Sequence, residues 1–547
     1  MASPDFETHE VLNQVPPRHG VNLYASDPVL AALVEDLPQP VVASLVQHGA
    51  LWGSAEMADL ARLANSVLPQ LRTHDASGRR IDAIEFHPAW SALMRRSVAS
   101  GLHASIWDAV GEESDVRVLA RAARLYMSAQ VELGHLGPMT QSSASVASLG
   151  HAQPLAEAWL PMLRSRRYDS RAAPIAQKTG ALISFATTEK QGGADLRATT
   201  TRADSLGDGT FRLVGHKWFV SAPASDAMLT LAQTLEGLSL FLVPRYMPDG
   251  TRNPMRIMRL KDKLGTRSNA AAEIELTGTT GLMVGEPGRG IATIAETVTL
   301  LRVDDAIAAA ALARAGLAEA VHVARNRRAF GAPLIDQPLM TRVLADMALD
   351  VTGATALVFR LAEAVDRSQD QPGEAAFARL MAPAVKYWVA KIAPAMISEA
   401  MEAAGGNGYV EDGIFPRLLR DAQALPLVDG AGNTLCLEVL RVLRRAPEPF
   451  EAVLRVIEDG LGPNARSTLG VLRAAAAVAL ADEGSARILT EQLAMTVAAA
   501  TLRRRFPAVI ADAFLETRLG KPWRSTYGML DARFDARAFI DYVVPRG

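Results

Sequence analysis

The sequence predicts an α+β fold that is mainly α, with a central antiparallel β-barrel or sandwich set between helical blocks. Three observations support this. Apolar residues recur at helical spacing from about Val41 to Ala173. Glycines, threonines and alternating apolar residues replace that texture at about Ala181 and continue to about Gly285. Helical periodicity then returns, and Ala446-Pro447-Glu448-Pro449 interrupts it before a last helical segment. The expected domains are an N-terminal arm and helical domain (1–180), a β domain (181–285), a helical bundle (286–446) and a C-terminal helical domain (447–547).

Bulk composition narrows the function classes. The 547 residues allow two to four domains, and 49% hydrophobic content suffices for a large core. A net charge of −2 gives no global attraction to nucleic acid or membrane, so such binding would need a local patch. A single cysteine, Cys436, excludes a disulfide framework or a Cys-based zinc site within one chain, and no metal is expected. Continuous apolar runs such as Ala474–Ala481 are short of the roughly 20 residues a bilayer requires. The start MASPDFETHE is acidic and lacks the apolar run of a secretory signal, so a cytoplasmic protein is expected.

Along the chain, Pro16, Pro17 and Asp27-Pro28 break residues 1–35 into an arm expected to pack on another subunit. In the first helical block, Met57, Leu60, Ala61, Ala64 and Leu68 share a face, as do Val118, Ala122 and Tyr126. Trp90 and His87 in Phe86–Met94 read as core packing. Strands are expected at Thr199–Ala203, Phe211–Val214, Trp218–Ser221, Met228–Ala232, Leu238–Val243 and Glu273–Leu276, with a hairpin turn at Gly207-Asp208-Gly209. Val343, Met347, Val351, Val358 and Val365 form the stripe of a long helix, and Gly405-Gly406-Asn407-Gly408 ends another.

Four segments bear chemistry. Thr187-Thr188-Glu189-Lys190-Gln191-Gly192-Gly193-Ala194-Asp195 combines hydroxyls with glycines that allow close backbone approach; a glycine-rich hairpin would give the same pattern. Gly215-His216-Lys217-Trp218-Phe219-Val220-Ser221 is an aromatic strand, which on its own also fits core packing. Arg325 to Leu334 is basic and ends in Phe330-Gly331-Ala332-Pro333, with Gln337 beyond; a guanidinium fork suits a diphosphate. Glu402 to Tyr409 and Val428 to Thr434 are glycine-rich, and the second carries Asp429.

In this order, over about Ala181–Arg441, the four segments resemble the acyl-CoA dehydrogenase superfamily. The resemblance implies FAD, with Thr188 on the pyrimidine side, Phe219 in place of the ring-covering tryptophan and Ser221 near flavin N5. It extends the implied cofactor contacts to Phe185, Thr187, Gly193, Ala194 and Val220. Arg327, with Phe330 and Gln337, would bind the pyrophosphate of a neighbouring subunit's FAD. Glu402, Gly405, Gly406, Val428, Gly430, Gly432 and Asn433 complete the implied set. Two departures bear on activity. Ala194 stands where the family has serine, and the candidate base Asp429 is one methylene shorter than the family's glutamate, with Asp304 and Asp305 as second choices.

Further segments, among them 9–17, 78–90, 167–180, 242–253, 259–270 and 399–409, resemble the AidB-like branch, the bacterial alkylation-response flavoproteins. That implies a homotetramer binding FAD and double-stranded DNA, with weak dehydrogenase activity. From Arg441 onward there are 16 basic residues against 12 acidic. Arg441, Arg444, Arg503, Arg504, Arg505, Arg518, Lys521 and Arg524 are the candidate phosphate contacts. Two alternatives stay open: an acyl-CoA dehydrogenase for an unusual acyl group, and a flavin oxidase resembling nitroalkane oxidase with Asp429 as base.

Overall fold

The computed structural model describes residues 8–107, 116–520, 527, 530 and 533–545. The first block contains α1 (Pro28–Leu33), α2 (Gln39–Trp52), α3 (Ala55–Ser66), α4 (Pro88–Ala99), α5 (Arg117–Val131), α6 (Leu136–Leu149) and α7 (Gln153–Leu163). Between α3 and α4 lies a hairpin of β1 (Gln70–His74) and β2 (Arg80–Glu85), in a stretch expected to be helical. Tertiary contacts account for it. The buried Asp82 carboxylate accepts from Arg80 and Arg252 and from the amide of Ile257, which fastens the hairpin to the β domain.

The described part of the N-terminal arm also makes contacts with its own chain. Asn13 brackets the main chain of Arg328, donating at 2.9 Å and accepting at 2.8 Å. Asp27 accepts from Arg314 at 2.9 Å and from the Tyr126 hydroxyl at 3.2 Å, all three buried. A buried carboxylate needs such partners, and the long helices supply them.

The central unit contains β3 (Ile183–Phe185), β4 (Arg202–Ser205), β5 (Thr210–Ser221), β6 (Ala227–Thr234), β7 (Gly237–Pro244), β8 (Met255–Leu260) and β9 (Ala271–Val284). The pairings close a circuit β6–β4–β5–β9–β7–β6, with β3 on β6 and β8 on β9. Most pairings are antiparallel; β6 runs parallel to β3 and β4. Closure removes the edges of the five strands in the circuit, while β3 and β8 each pair on one side only. β5 spans both strands expected at 211–221 as one element.

The chain continues through α8 (Gly290–Thr293), α9 (Ala295–Asn326), the small ribbon of β10 (Arg328–Ala329) and β11 (Ala332–Pro333), α10 (Pro338–Arg367), α11 (Pro372–Ala403), α12 (Phe415–Ala422) and α13 (Gly432–Arg445). By length and apolarity α9 could cross a bilayer, but 89% of its most apolar window is buried, so its apolarity is core packing.

The last block comprises α14 (Glu448–Leu461), α15 (Ala465–Ala481), α16 (Ala486–Arg505), α17 (Ala508–Phe514) and α18 (Ala536–Val543). It shares one hydrophobic core with the bundle. Phe514 fills a notch that Gly353 leaves in α10; a Cβ there would lie 2.4 Å from its ring. Arg518, expected as a DNA contact, is instead 3% exposed and inserts between Asp346 (2.7 Å) and Asp350 (2.8 Å) of α10. Two carboxylates on the bundle capture the guanidinium before any phosphate could. Arg518→Ala is expected to destabilise the protein by about 3–5 kcal/mol in urea unfolding, because it removes the cation held between two buried carboxylates, while leaving DNA retention unchanged.

Candidate flavin site

A cavity of about 1690 Å³ opens between the barrel and α6, α9, α11, α12 and α13. Ordinary small-molecule pockets hold roughly 300–1,000 Å³, so there is space for a large cofactor and a second ligand. Phe185, Thr187, Thr188, Gly193, Ala194, Phe219 and Ser221 line one wall; Val428, Asp429 and Gly430 line another. Val220 points into the barrel core instead.

The first wall depends on Glu189. Its buried carboxylate accepts from the amides of Thr200 (2.8 Å) and Thr201 (3.1 Å), from both threonine hydroxyls, and from Lys217 Nζ at 2.7 Å. Burial alone would raise its pKa, but Lys217 and these donors outweigh it and hold the group well below the usual carboxylate range. Trp218 N donates to the Thr188 carbonyl at 2.9 Å, joining the threonine turn to β5. Gly193 is required because a Cβ would lie 2.6 Å from Thr188 Oγ1. Phe219 faces the cavity. Trp218 does not line it and instead carries Lys261 Nζ 3.5 Å above its ring.

The residues fit a flavin. Ser221 Oγ accepts from Asn269 Nδ2 at 2.8 Å, while Asn269 Oδ1 is buried without a partner. An unpaired acceptor beside the Ser221 hydroxyl, in the cavity that Thr188 also lines, matches the mixed donor and acceptor edge of an isoalloxazine. Gly137 leaves room there, since its Cβ would lie 2.9 Å from Asn269 Nδ2. Glu132 shapes the adjoining turn through the amides of Gly134 (3.0 Å) and His135 (2.8 Å) and the hydroxyl of Ser268 (2.7 Å). Neither Glu132 nor Asn269 stands in a chemistry-bearing segment, so sequence reading missed both; only the fold brings them together.

The opposite wall carries Asp429 in a left-handed backbone conformation, φ +48°. Arg302 Nε donates to its carbonyl at 3.2 Å, and Lys386 Nζ donates to the carbonyls of Val428 and, at 3.0 Å, Gly430. Asp305 faces Asp429, and burial raises the pKa of both carboxyls. Asp304 is taken by a bidentate ion pair with Arg121 at 2.6 and 2.8 Å. Lys386 and Arg302 were not singled out from the sequence.

The remaining implied cofactor residues lie outside this cavity. Phe330 is 98% exposed in a left-handed turn, Arg327 reaches the Asn13 carbonyl at 3.4 Å, and Gln337 donates to the Ala329 carbonyl. Glu402, Gly405 and Gly406 are exposed at the end of α11. Gly432 is buried at the start of α13, and Asn433 accepts from Arg487 of α16 at 2.9 Å. Of the candidate DNA contacts, Arg441 lines the cavity and pairs with Glu438, and Arg444 pairs with Glu483. Arg503 pairs with Asp512 and Arg505 with Asp36, so neither is a free cation; Arg504 is exposed. Lys521 and Arg524 lie outside the described residues.

Asp421 supports the cavity rim, accepting from the Thr266 amide at 2.6 Å. Burial pushes its pKa up to about 6. The folded state therefore holds this proton more tightly than an unfolded aspartate does, near 3.9. The resulting stability is fully present below about pH 4 and is lost as pH rises to about 6, on the order of 2–3 kcal/mol. Asp421→Asn should remove that decline from the unfolding free energy measured between pH 4 and 7.

Comparison with known proteins places this geometry. Residues 13–170 match the adaptive response protein AidB N-terminal domain, 184–279 the acyl-CoA dehydrogenase middle domain, and 288–443 the acyl-CoA dehydrogenase C-terminal domain. The putative acyl-CoA dehydrogenase AidB of Escherichia coli is 41% identical, covering 94% of this chain and 95% of that protein. Acyl-CoA dehydrogenase family member 11 of Caenorhabditis elegans is 32% identical over 81% of this chain and 74% of its own length. The crystal structure of Caenorhabditis elegans ACDH-11 in complex with C11-CoA superposes with a TM-score of 0.83 at 26% identity, covering 100% of this chain and 95% of that one. The chain belongs to the FAD-dependent acyl-CoA dehydrogenase family, in the branch marked by the AidB N-terminal domain.

Proposed function

We propose that this chain is an FAD-binding flavoprotein of the response to DNA alkylation damage, binding double-stranded DNA as a cytoplasmic homotetramer with weak dehydrogenase chemistry. One contrast supports this reading most strongly. The wall of Thr188, Phe219, Ser221 and Asn269 keeps the means of holding a flavin. The opposite wall offers Asp429, one methylene shorter than the glutamate the family resemblance implies, on a turn held through its backbone carbonyls. The kinship with AidB motivates the DNA and alkylation elements.

For oligomerisation, the exposed Phe330, with Arg327 and Gln337 beside it, is available to a neighbouring subunit's FAD, as the family resemblance implies. For DNA, Arg441 and Arg444 pair with glutamates near the surface, and Arg504 is exposed. Surface pairs are worth about 0–1 kcal/mol, so exchanging a glutamate for a phosphate costs little. Retention of duplex DNA should fall steeply as salt rises from about 50 to 200 mM. Replacing Arg441, Arg444 and Arg504 by alanine should lower the log–log salt slope by roughly 1 for each phosphate that is no longer neutralised. Affinity independent of salt would refute this reading.

The cavity volume favours a second reading, an acyl-CoA dehydrogenase for an unusual acyl group; a complex with C11-CoA is known for the nematode relative. FAD would supply the hydride acceptor. Asp429 would take the substrate proton, with Arg302 and Lys386 holding its turn in place. Anaerobic mixing with a panel of acyl-CoAs should bleach the flavin with at least one member, and Asp429→Asn should slow bleaching by about 10²–10⁴-fold. A flavin left oxidised by the whole panel would remove this reading.

A further inference from the structure

The turn carrying Asp429 is held at three successive carbonyls. Lys386 Nζ takes those of Val428 and Gly430, and Arg302 Nε takes that of Asp429 itself. Lys386 is fully buried in the middle of α11, and its ammonium also faces the Asp305 carboxylate at 3.6 Å. An ammonium has three N–H groups; two are taken by the carbonyls, and the third faces Asp305 at a distance longer than a hydrogen bond. The left-handed conformation of Asp429 persists because its neighbours over-determine it.

Asp305 comes from α9 and meets Asp429 side chain to side chain; both line the cavity. Asp305 Oδ2 makes no hydrogen bond within the protein. The other charged groups are assigned. Asp304 is bound to Arg121, and Glu438 and Arg441 of α13 interact electrostatically with Arg302. Two buried carboxyls in contact do not both ionise readily, even with Lys386 and Arg302 beside them, which favours a single shared proton.

We propose that Asp305 and Asp429 form a proton-sharing acid pair and that Lys386 is its positioning residue. The proposal rests on reading Asp429 as the group facing the substrate, and extends it by naming a second carboxyl and the cation that sets their geometry. The pair begins with one proton and one negative charge. On proton transfer the substrate C–H bond breaks, its electron pair stays on the substrate carbon, and a new O–H bond forms on the pair; a bound FAD would supply the hydride acceptor. The pair then carries two protons and no charge, while Lys386 and Arg302 retain theirs.

The test uses the full chain loaded with FAD and without substrate. Infrared difference spectra between acidic and alkaline pH report protonated carboxyl groups directly. The expected result is a carboxyl band titrating above the ordinary aspartate range that disappears in Asp305→Asn as well as in Asp429→Asn. Asp421 serves as the internal control that neither variant moves. Lys386→Gln should raise the titration by about 1 pH unit or more, and Lys386→Arg should restore it toward wild type. Survival of the band in Asp305→Asn would overturn the acid pair, even if Lys386→Gln fails to fold. An unmoved titration in a folded Lys386→Gln would overturn the role of Lys386. The acid pair can be present without turnover of any acyl-CoA, which would defeat the dehydrogenase reading alone.

Discussion

The buried ion pair between Glu189 and Lys217 is the constraint on which the flavin-facing wall depends. One carboxylate gathers the turn after β3, the approach to β4 and the side chain of β5 into a single rigid unit. A buried charge is costly unless every lone pair is used, and here two hydroxyls, two amides and an ammonium use them. Thr188, Phe219 and Ser221 thereby sit on a frame rather than on a free loop. Preorganisation of this kind matters more than the identity of any single donor, because a cofactor contact is productive only when its geometry is already set.

The same logic of charge satisfaction runs through the C-terminal block. A run of arginines suggests an open basic surface, yet burial decides what each one does. Arg518 is held between Asp346 and Asp350 against α10, whereas Arg505 bridges to Asp36 just beyond α1. The Arg518 pairs, with Phe514 in the Gly353 notch, pack the C-terminal helical domain against the bundle. Arg444 and Arg504 stay at the surface, Arg444 in an exposed pair with Glu483 of the kind worth little to stability.

The two walls of the cavity differ in kind. One has an acceptor, Asn269 Oδ1, left unpaired and buried beside hydroxyls, which is a place prepared for a ligand. The other is tightly held, with carbonyls of the Asp429 turn gripped by Lys386 and Arg302. A shortened carboxylate on a clamped turn beside a second carboxyl is better suited to holding a proton than to reaching far for one.

Several features were legible in the residues themselves. Alternation and glycine content located the barrel, helical periodicity located the bundle, and the order of four segments identified the superfamily and its flavin. These are local or collinear signals, because side-chain period follows directly from backbone geometry. Other features are settled by contacts distant in sequence. The β1–β2 hairpin exists because Asp82 finds Arg252 and Ile257, and the N-terminal arm contacts its own chain where Asn13 finds Arg328. Arg518 is withdrawn from the surface for the same reason, and Asp305 and Lys386 enter the site only once α9 and α11 pack side by side. Sequence determined which segments could hold a flavin. Tertiary structure decided which charges meet, because pairing in a low-dielectric interior depends on positions in space that sequence order does not encode.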